Sequence, residues 1–294
     1  MVSLAPKAVS GGGETNEGKI SKQADMLAEQ VPAPFKIKDV KAALASRSDP
    51  DPMKTVLLQE IERYNVLLHG VSRQLADLNK ALKGLVIVTP EIEDISQALL
   101  QGKVPLAWSK CYPSLKPLGS WMRDLIVRVE QIRTWALLEM PKVFWLPGMT
   151  YPTGFLTALL QTSARRNGVA IDTLSWEFSV LEENFAPLTS HPKEGAYCDG
   201  LFLDGARWNR QEGCLEEPPP MELFYQMPII HFKPVESKKK APKGVYVCPI
   251  YMYPLRTGSR ERPSFVTAAE LKAGKFSSEF WTKRGVAMLL SIAL

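Results

Sequence analysis

Residues 57–85 read LLQEIERYNVLLHGVSRQLADLNKALKGL, and Leu57, Ile61, Tyr64, Leu68, Val71, Leu75, Leu78, Leu82 and Leu85 follow one another in steps of four and three. That 3.5-residue period predicts one long helix with a narrow apolar stripe, suited to lying along another helix. Gly70 and Gly84 weaken it locally and mark bends or its end, since glycine costs about 1 kcal/mol relative to alanine inside a helix. Tyr64 and the two glycines are poor zipper residues. A core helix inside a bundle is therefore favoured over a free coiled coil.

Outward from this helix the pattern stays helical as far as Gly168. A second helix is predicted over Pro90–Leu100, with Thr89 placed to cap it and Glu91, Glu93 and Asp94 at the positive end of its dipole. Gly102 and Pro105 stop it. A third spans about Leu118 to Leu138 and puts Trp121, Met122, Leu125, Ile126, Val129, Ile132 and Trp135 on one face, to pack on the heptad helix. A fourth opens in TYPTGFLTALLQTSARRNG, residues 150–168. There the threonines on either side of Pro152 can cap, Arg165 and Arg166 occupy the last turn as dipole partners, and Asn167-Gly168 ends the helix.

After Gly168 the period falls to two. Leu174, Trp176, Phe178 and Val180 alternate with Ser175, Glu177 and Ser179, which predicts a half-buried strand. LFLDGARW, residues 201–208, carries a hairpin signal in Asp204-Gly205. Further strands are expected at Met227–Phe232, Val245–Tyr253 and Val286–Leu294, the last apolar on nearly both faces. Short strands separated by turn signals predict a small antiparallel barrel or a sandwich.

The four cysteines, Cys111, Cys198, Cys214 and Cys248, lie far apart with no C-x-x-C pair, so they fit neither a zinc site nor a dense disulfide framework and read as reduced thiols. A cysteine nucleophile needs a base, and the histidines are His69 in the heptad helix, His191 in a His-Pro turn and His231 in a strand. Residues 13–19, GETNEGK, have the spacing of a phosphate-binding loop, but Ile20 fills the Ser/Thr slot and no buried strand precedes it. With no H-E-x-x-H, G-x-S-x-G or dinucleotide fingerprint either, no catalytic, cofactor-binding or metal-binding residue is assigned. The net charge of +5 over 294 residues is small and well mixed, which gives no case for nucleic acid. The run ESKKKAPK, residues 236–243, reads as a solvated loop between strands. WALLEMPKVFWL, residues 135–146, is too short and too charged to span a bilayer, and the N-terminus lacks a signal-peptide core, so no membrane association is expected.

Taken in order, the segments resemble the C-terminal end of a dynein heavy chain of the axonemal type. The resemblance runs through residues 11–32 (GGGETNEGKISKQADMLAEQVP), 57–68 (LLQEIERYNVLL), 78–88 (LNKALKGLVIV) and 105–121 (PLAWSKCYPSLKPLGSW). It continues through 144–161 (FWLPGMTYPTGFLTALLQ), 200–209 (GLFLDGARWN), 246–251 (YVCPIY) and 284–290 (RGVAMLL). It implies the last helical part of a sixth AAA+ module joined to a domain of helices and then a β-barrel, lying on one face of a motor ring.

The expected fold class is thus α+β. Residues 1–19 would be a flexible linker, 20–168 a helical region built on the heptad helix, and 169–294 a small antiparallel β-barrel. Cys248 becomes a packed strand residue, and Pro249, which removes one ladder donor, implies an edge or a bulge. The resemblance implies a structural and regulatory segment of a minus-end-directed, ATP-driven microtubule motor of cilia and flagella, without the ring modules that hydrolyse ATP and without a cofactor of its own. Expected partners are the rest of the motor ring and other dynein complex subunits, with microtubules reached only indirectly, in the cytoplasm, cytoskeleton and axoneme. The alternative is a free-standing protein-interaction module derived from a heavy-chain terminus.

Overall fold

The computed structural model describes residues 15–181, 188–236, 243–252 and 264–292. The heptad stripe forms α3, Asp51–Leu82, and its Leu57, Ile61, Tyr64, Leu68, Val71 and Leu75 are fully buried. Each large aliphatic side chain so placed contributes roughly 1.5 to 3 kcal/mol. The stripe is filled by helices of the same polypeptide: α1 (Asn16–Gln30), α4 (Pro90–Leu100), α6 (Leu118–Leu137) and α7 (Pro152–Asn167) all pack on α3. Beside them α2 (Ile37–Ala45) lies on α6, and the short α5 (Leu106–Cys111) lies on α3.

Several helical boundaries differ from expectation, each for a local reason. Residues 16–19 are the first turn of α1 and not linker, because Ile20, Ala24 and Leu27 form an apolar stripe and Thr15 caps the Gly18 N–H at 3.2 Å. In the loop-like stretch Gly18 and Lys19 are therefore helical and Ile20 is core, while Gly13 lies outside the described residues. Leu85 does not extend the seam. Gly84 turns the backbone at φ +70°, the Leu85 N–H bonds back to the Lys80 carbonyl at 2.9 Å, and the Leu85 side chain is left 69% exposed. Ile126 belongs to the outer side of α6, whereas the other six residues named for that face are buried.

The strands form open sheets among the described residues, so the expected antiparallel barrel is corrected. One sheet orders β1 (Val143–Trp145), β3 (Ala196–Asp199), β8 (Ile230–Glu236) and β2 (Leu174–Val180). The other orders β10 (Phe265–Lys272), β9 (Val245–Tyr251), β11 (Ala287–Leu289), β4 (Phe202–Asp204) and β7 (Phe224–Gln226). A separate ribbon pairs β5 (Arg207–Asn209) with β6 (Cys214–Glu216). Two of the ladders are parallel, β1 with β3 and β11 with β9. The second is possible because β10 and α8 (Ser278–Arg284) lead the backbone back before β11, the kind of crossover that parallel pairing requires.

The hairpin expected at Asp204-Gly205 is absent, since β4 pairs with β11 and β7 while β5 pairs with β6. The terminal strand shortens to β11, β8 starts at Ile230 rather than Met227, and Tyr253, Ala293 and Leu294 lie outside the described residues. Pro249 sits in an interior strand, opposite Ala268 of β10, and the ladder irregularity falls instead between Phe265 and Thr267. What accommodates it is the other neighbour: β11 pairs with β9 only at Ile250 and Tyr251, beyond the proline. One hydrophobic core continues from α1 through the helices into both sheets.

Candidate functional site

The most organised polar constellation lies where α3, α5 and α6 meet the turn Leu146–Gly148 and the start of α7. Glu60 projects from α3 and is fully buried. Its carboxylate accepts the backbone N–H groups of Thr150 at 2.7 Å and Tyr151 at 3.0 Å, and it takes a charged hydrogen bond from Arg63 at 3.0 Å. The start of α7 is therefore capped by a residue 90 positions away and not by its own threonines, an arrangement that also suits the helix dipole. Burial holds the Glu60 carboxyl above its ordinary range, against the pull of the Thr150 and Tyr151 hydrogen bonds and the Arg63 charge.

The same turn is held by two buried tyrosines. Tyr64 of α3 donates to the Gly148 carbonyl and Tyr112 donates to the Pro147 carbonyl, both at 2.6 Å. Burial pushes both phenols up, so they remain donors. Gln131 of α6 adds a reciprocal pair, accepting from the Trp145 N–H at 2.7 Å and donating to its carbonyl at 3.1 Å. Arg128 of α6 is buried with its guanidinium 3.5 Å from the Tyr112 ring centre, a cation–π contact in a dry setting. Asp124 bonds Arg128 at 3.4 Å and Lys116 at 2.8 Å. Such an arrangement fixes helices to one another. Glu60, Tyr64, Tyr112 and Gln131 are consumed in holding backbone, while Arg128 keeps Nε and Nη1 buried without a hydrogen-bond partner among the described residues and is held by the Tyr112 ring and Asp124; the arrangement presents no nucleophile beside a base.

Sequence reasoning missed this web, although a signal was there. Arg128 falls on the buried stripe Trp121, Leu125, Ile132, Trp135 at the same steps of four and three, and Glu60 stands four residues before Tyr64 on α3. A charge on a buried stripe calls for a partner, because leaving it unpaired is costly.

The residues weighed as catalytic candidates are dispersed or engaged. The ring Nε2 of His191 donates to the Met140 carbonyl at 3.0 Å, and that of His231 to the Glu194 carbonyl at 2.8 Å. His69 and Cys111 line one cavity of about 370 Å³, yet no hydrogen bond joins them among the described residues. Burial pushes the Cys198 thiol far up, and burial followed by the charge of Glu212 raises that of Cys214, which disfavours the reactive thiolate in both. Cys248 is buried in β9 as a packed residue. Arg166 bonds Glu194 at 3.2 Å, in addition to its place in the last turn of α7. Among the described residues no group of three His, Cys, Asp or Glu could hold a metal, and no helix is long and apolar enough to cross a membrane. Residues 237–242 of the basic loop lie outside the described residues.

Helices followed by open sheets around one continuous core define an α+β domain. The protein belongs to the family defined by the C-terminal domain of dynein heavy chains, whose model matches residues 1–290. It is 50% identical over 296 residues to the dynein-1-beta heavy chain of the flagellar inner arm I1 complex of Chlamydomonas reinhardtii, covering 100% of this chain and 6% of that protein. It is 45% identical over 295 residues to the human dynein axonemal heavy chain 2, covering 99% of this chain and 7% of that protein. Mouse dynein axonemal heavy chain 1 is 37% identical over 297 residues, with 99% and 7% covered. The chain spans less than a tenth of the length of these relatives.

Proposed function

We propose that this chain is the C-terminal structural and regulatory segment of an axonemal dynein heavy chain, part of a minus-end-directed, ATP-driven microtubule motor of cilia and flagella. The observation that carries the reading is the likeness to flagellar and axonemal heavy chains along the whole sequence. In this reading residues 20–168 are the end of the last AAA+ module with the helical part of the terminal domain, and residues 169–294 are its sheet part. The rest of the motor ring is the direct partner, other dynein subunits are further ones, and microtubules are reached through the motor. The buried web around Glu60, Tyr64, Tyr112 and Arg128, which ties α3 and α6 to the turn before α7, supports a bracing role.

An antibody raised against this protein and applied to isolated axonemes tests the reading. It should label a polypeptide many times longer than 294 residues that co-fractionates with microtubule-stimulated ATPase activity. Labelling confined to a polypeptide of 294 residues, in fractions without that activity, would overturn the proposal in favour of a free-standing interaction module.

A further inference from the structure

Helix α3 carries a second stripe that the rest of the described residues leave uncovered. Val66, Gly70, Arg73 and Asp77 succeed one another in steps of four, three and four, parallel to the buried seam. They line two cavities of about 370 and 430 Å³ that share Arg73 and Gln74, and so form one trough along the helix. Beyond Asp77 the wall is Val86 and Ile87, part of the run Leu85–Val88 in which four consecutive apolar residues are exposed, Ile87 by 88%. Val66 at the other end is 67% exposed. Apolar surface gathered in this way marks an interaction site, whereas single exposed residues need no explanation.

Gly70 is the decisive residue. A Cβ built there would meet nothing within 4 Å, so no described neighbour requires glycine in the middle of a 32-residue helix. Glycine destabilises a helix interior relative to alanine, and its usual return is close approach of another backbone. Arg73, on the trough floor, makes no ion pair or hydrogen bond among the described residues. Val66 and Asp77 lie eleven steps apart, on the order of 17 Å or three helical turns.

We propose that this trough is the seat of an amphipathic helix contributed by the remainder of the heavy chain, apolar towards Val66, Val86 and Ile87, crossing closely at Gly70 and presenting a carboxylate to Arg73. The mode is helix-in-groove recognition. The proposal rests on the reading of the protein as a motor segment. The occupant is assigned to the same polypeptide because more than nine-tenths of the relatives' length lies outside the matched region.

Cys111 lines the trough and serves as a native probe. Its alkylation by a pulse of iodoacetamide, read by mass spectrometry of its peptide, is compared between the 294-residue protein and the full natural polypeptide that contains it. We expect alkylation at least tenfold slower in the natural polypeptide, with Gly70→Leu restoring the rate there while leaving the melting temperature of the 294-residue protein undiminished. Equal rates in the two wild-type proteins, or protection that survives Gly70→Leu, would overturn the docking proposal alone. Protection that appears in the 294-residue protein as its concentration rises would assign the trough to a second copy and overturn it as well. A natural polypeptide of only 294 residues would instead remove the motor reading, and this occupant with it.

Discussion

Asp199 offers the sharpest test of the energetics. It ends β3 opposite Trp145 of β1, and one of its carboxylate oxygens is buried without a hydrogen-bond partner. Burial raises its pKa from 3.8 to about 6. Because the folded value lies above the ordinary one, the folded protein keeps this proton at pH values where the unfolded one has released it. Stability from this group is fully present below about pH 3.8 and is lost as the pH rises through about 6. Each tenfold change in proton affinity is worth about 1.4 kcal/mol, so the loss amounts to as much as about 3 kcal/mol. Asp199→Asn keeps the shape and removes the titration. Urea unfolding of both proteins at intervals from pH 4 to pH 7 should show the wild type falling relative to the variant by about 1 to 3 kcal/mol as the pH rises, with the variant the more stable at pH 7. If the two curves stay parallel over that range, the Asp199 carboxylate bears no burial cost and the reasoning fails.

Three further outcomes follow from the packing. Leu75→Ala, which empties a fully buried position in the α3 seam, should lower unfolding stability by roughly 2 to 5 kcal/mol in denaturant titration, and a loss under about 0.5 kcal/mol would mean an unpacked stripe. Glu60→Ala orphans the Thr150 and Tyr151 N–H groups at a cost of roughly 1 to 3 kcal/mol each, so hydrogen exchange over residues 150–155 should quicken before any change in the sheets; uniform acceleration across the protein would contradict a local cap. A variant ending at Gly285 loses β11, which lies between β9 and β4, and should be insoluble or molten; a soluble product with an unchanged melting temperature would show that strand to be dispensable.

The sequence alone determined the features whose signal is local. The seam of α3, the extents of α4, α6 and α7, the turn at Gly168 and the position of β2 all followed from periodicities and caps within a few residues, though the half-burial of β2 does not alternate as its sequence does, and the family followed from the order of the segments. Tertiary structure decided what depends on partners distant in the sequence. Leu85 matches the seam's period but lies past a glycine that turns the backbone, and Asp204-Gly205 looks like a hairpin turn until β11 and β7 occupy both sides of β4. Barrel or open sheet was likewise not legible, because closure depends on which strands pair, and the parallel insertion of β11 beside β9 is set by the return of the backbone through α8. The cap of α7 was misassigned to its adjacent threonines for the same reason. A buried N–H donates to whichever oxygen the fold delivers, and here α3 delivers the carboxylate of Glu60 from 90 residues away.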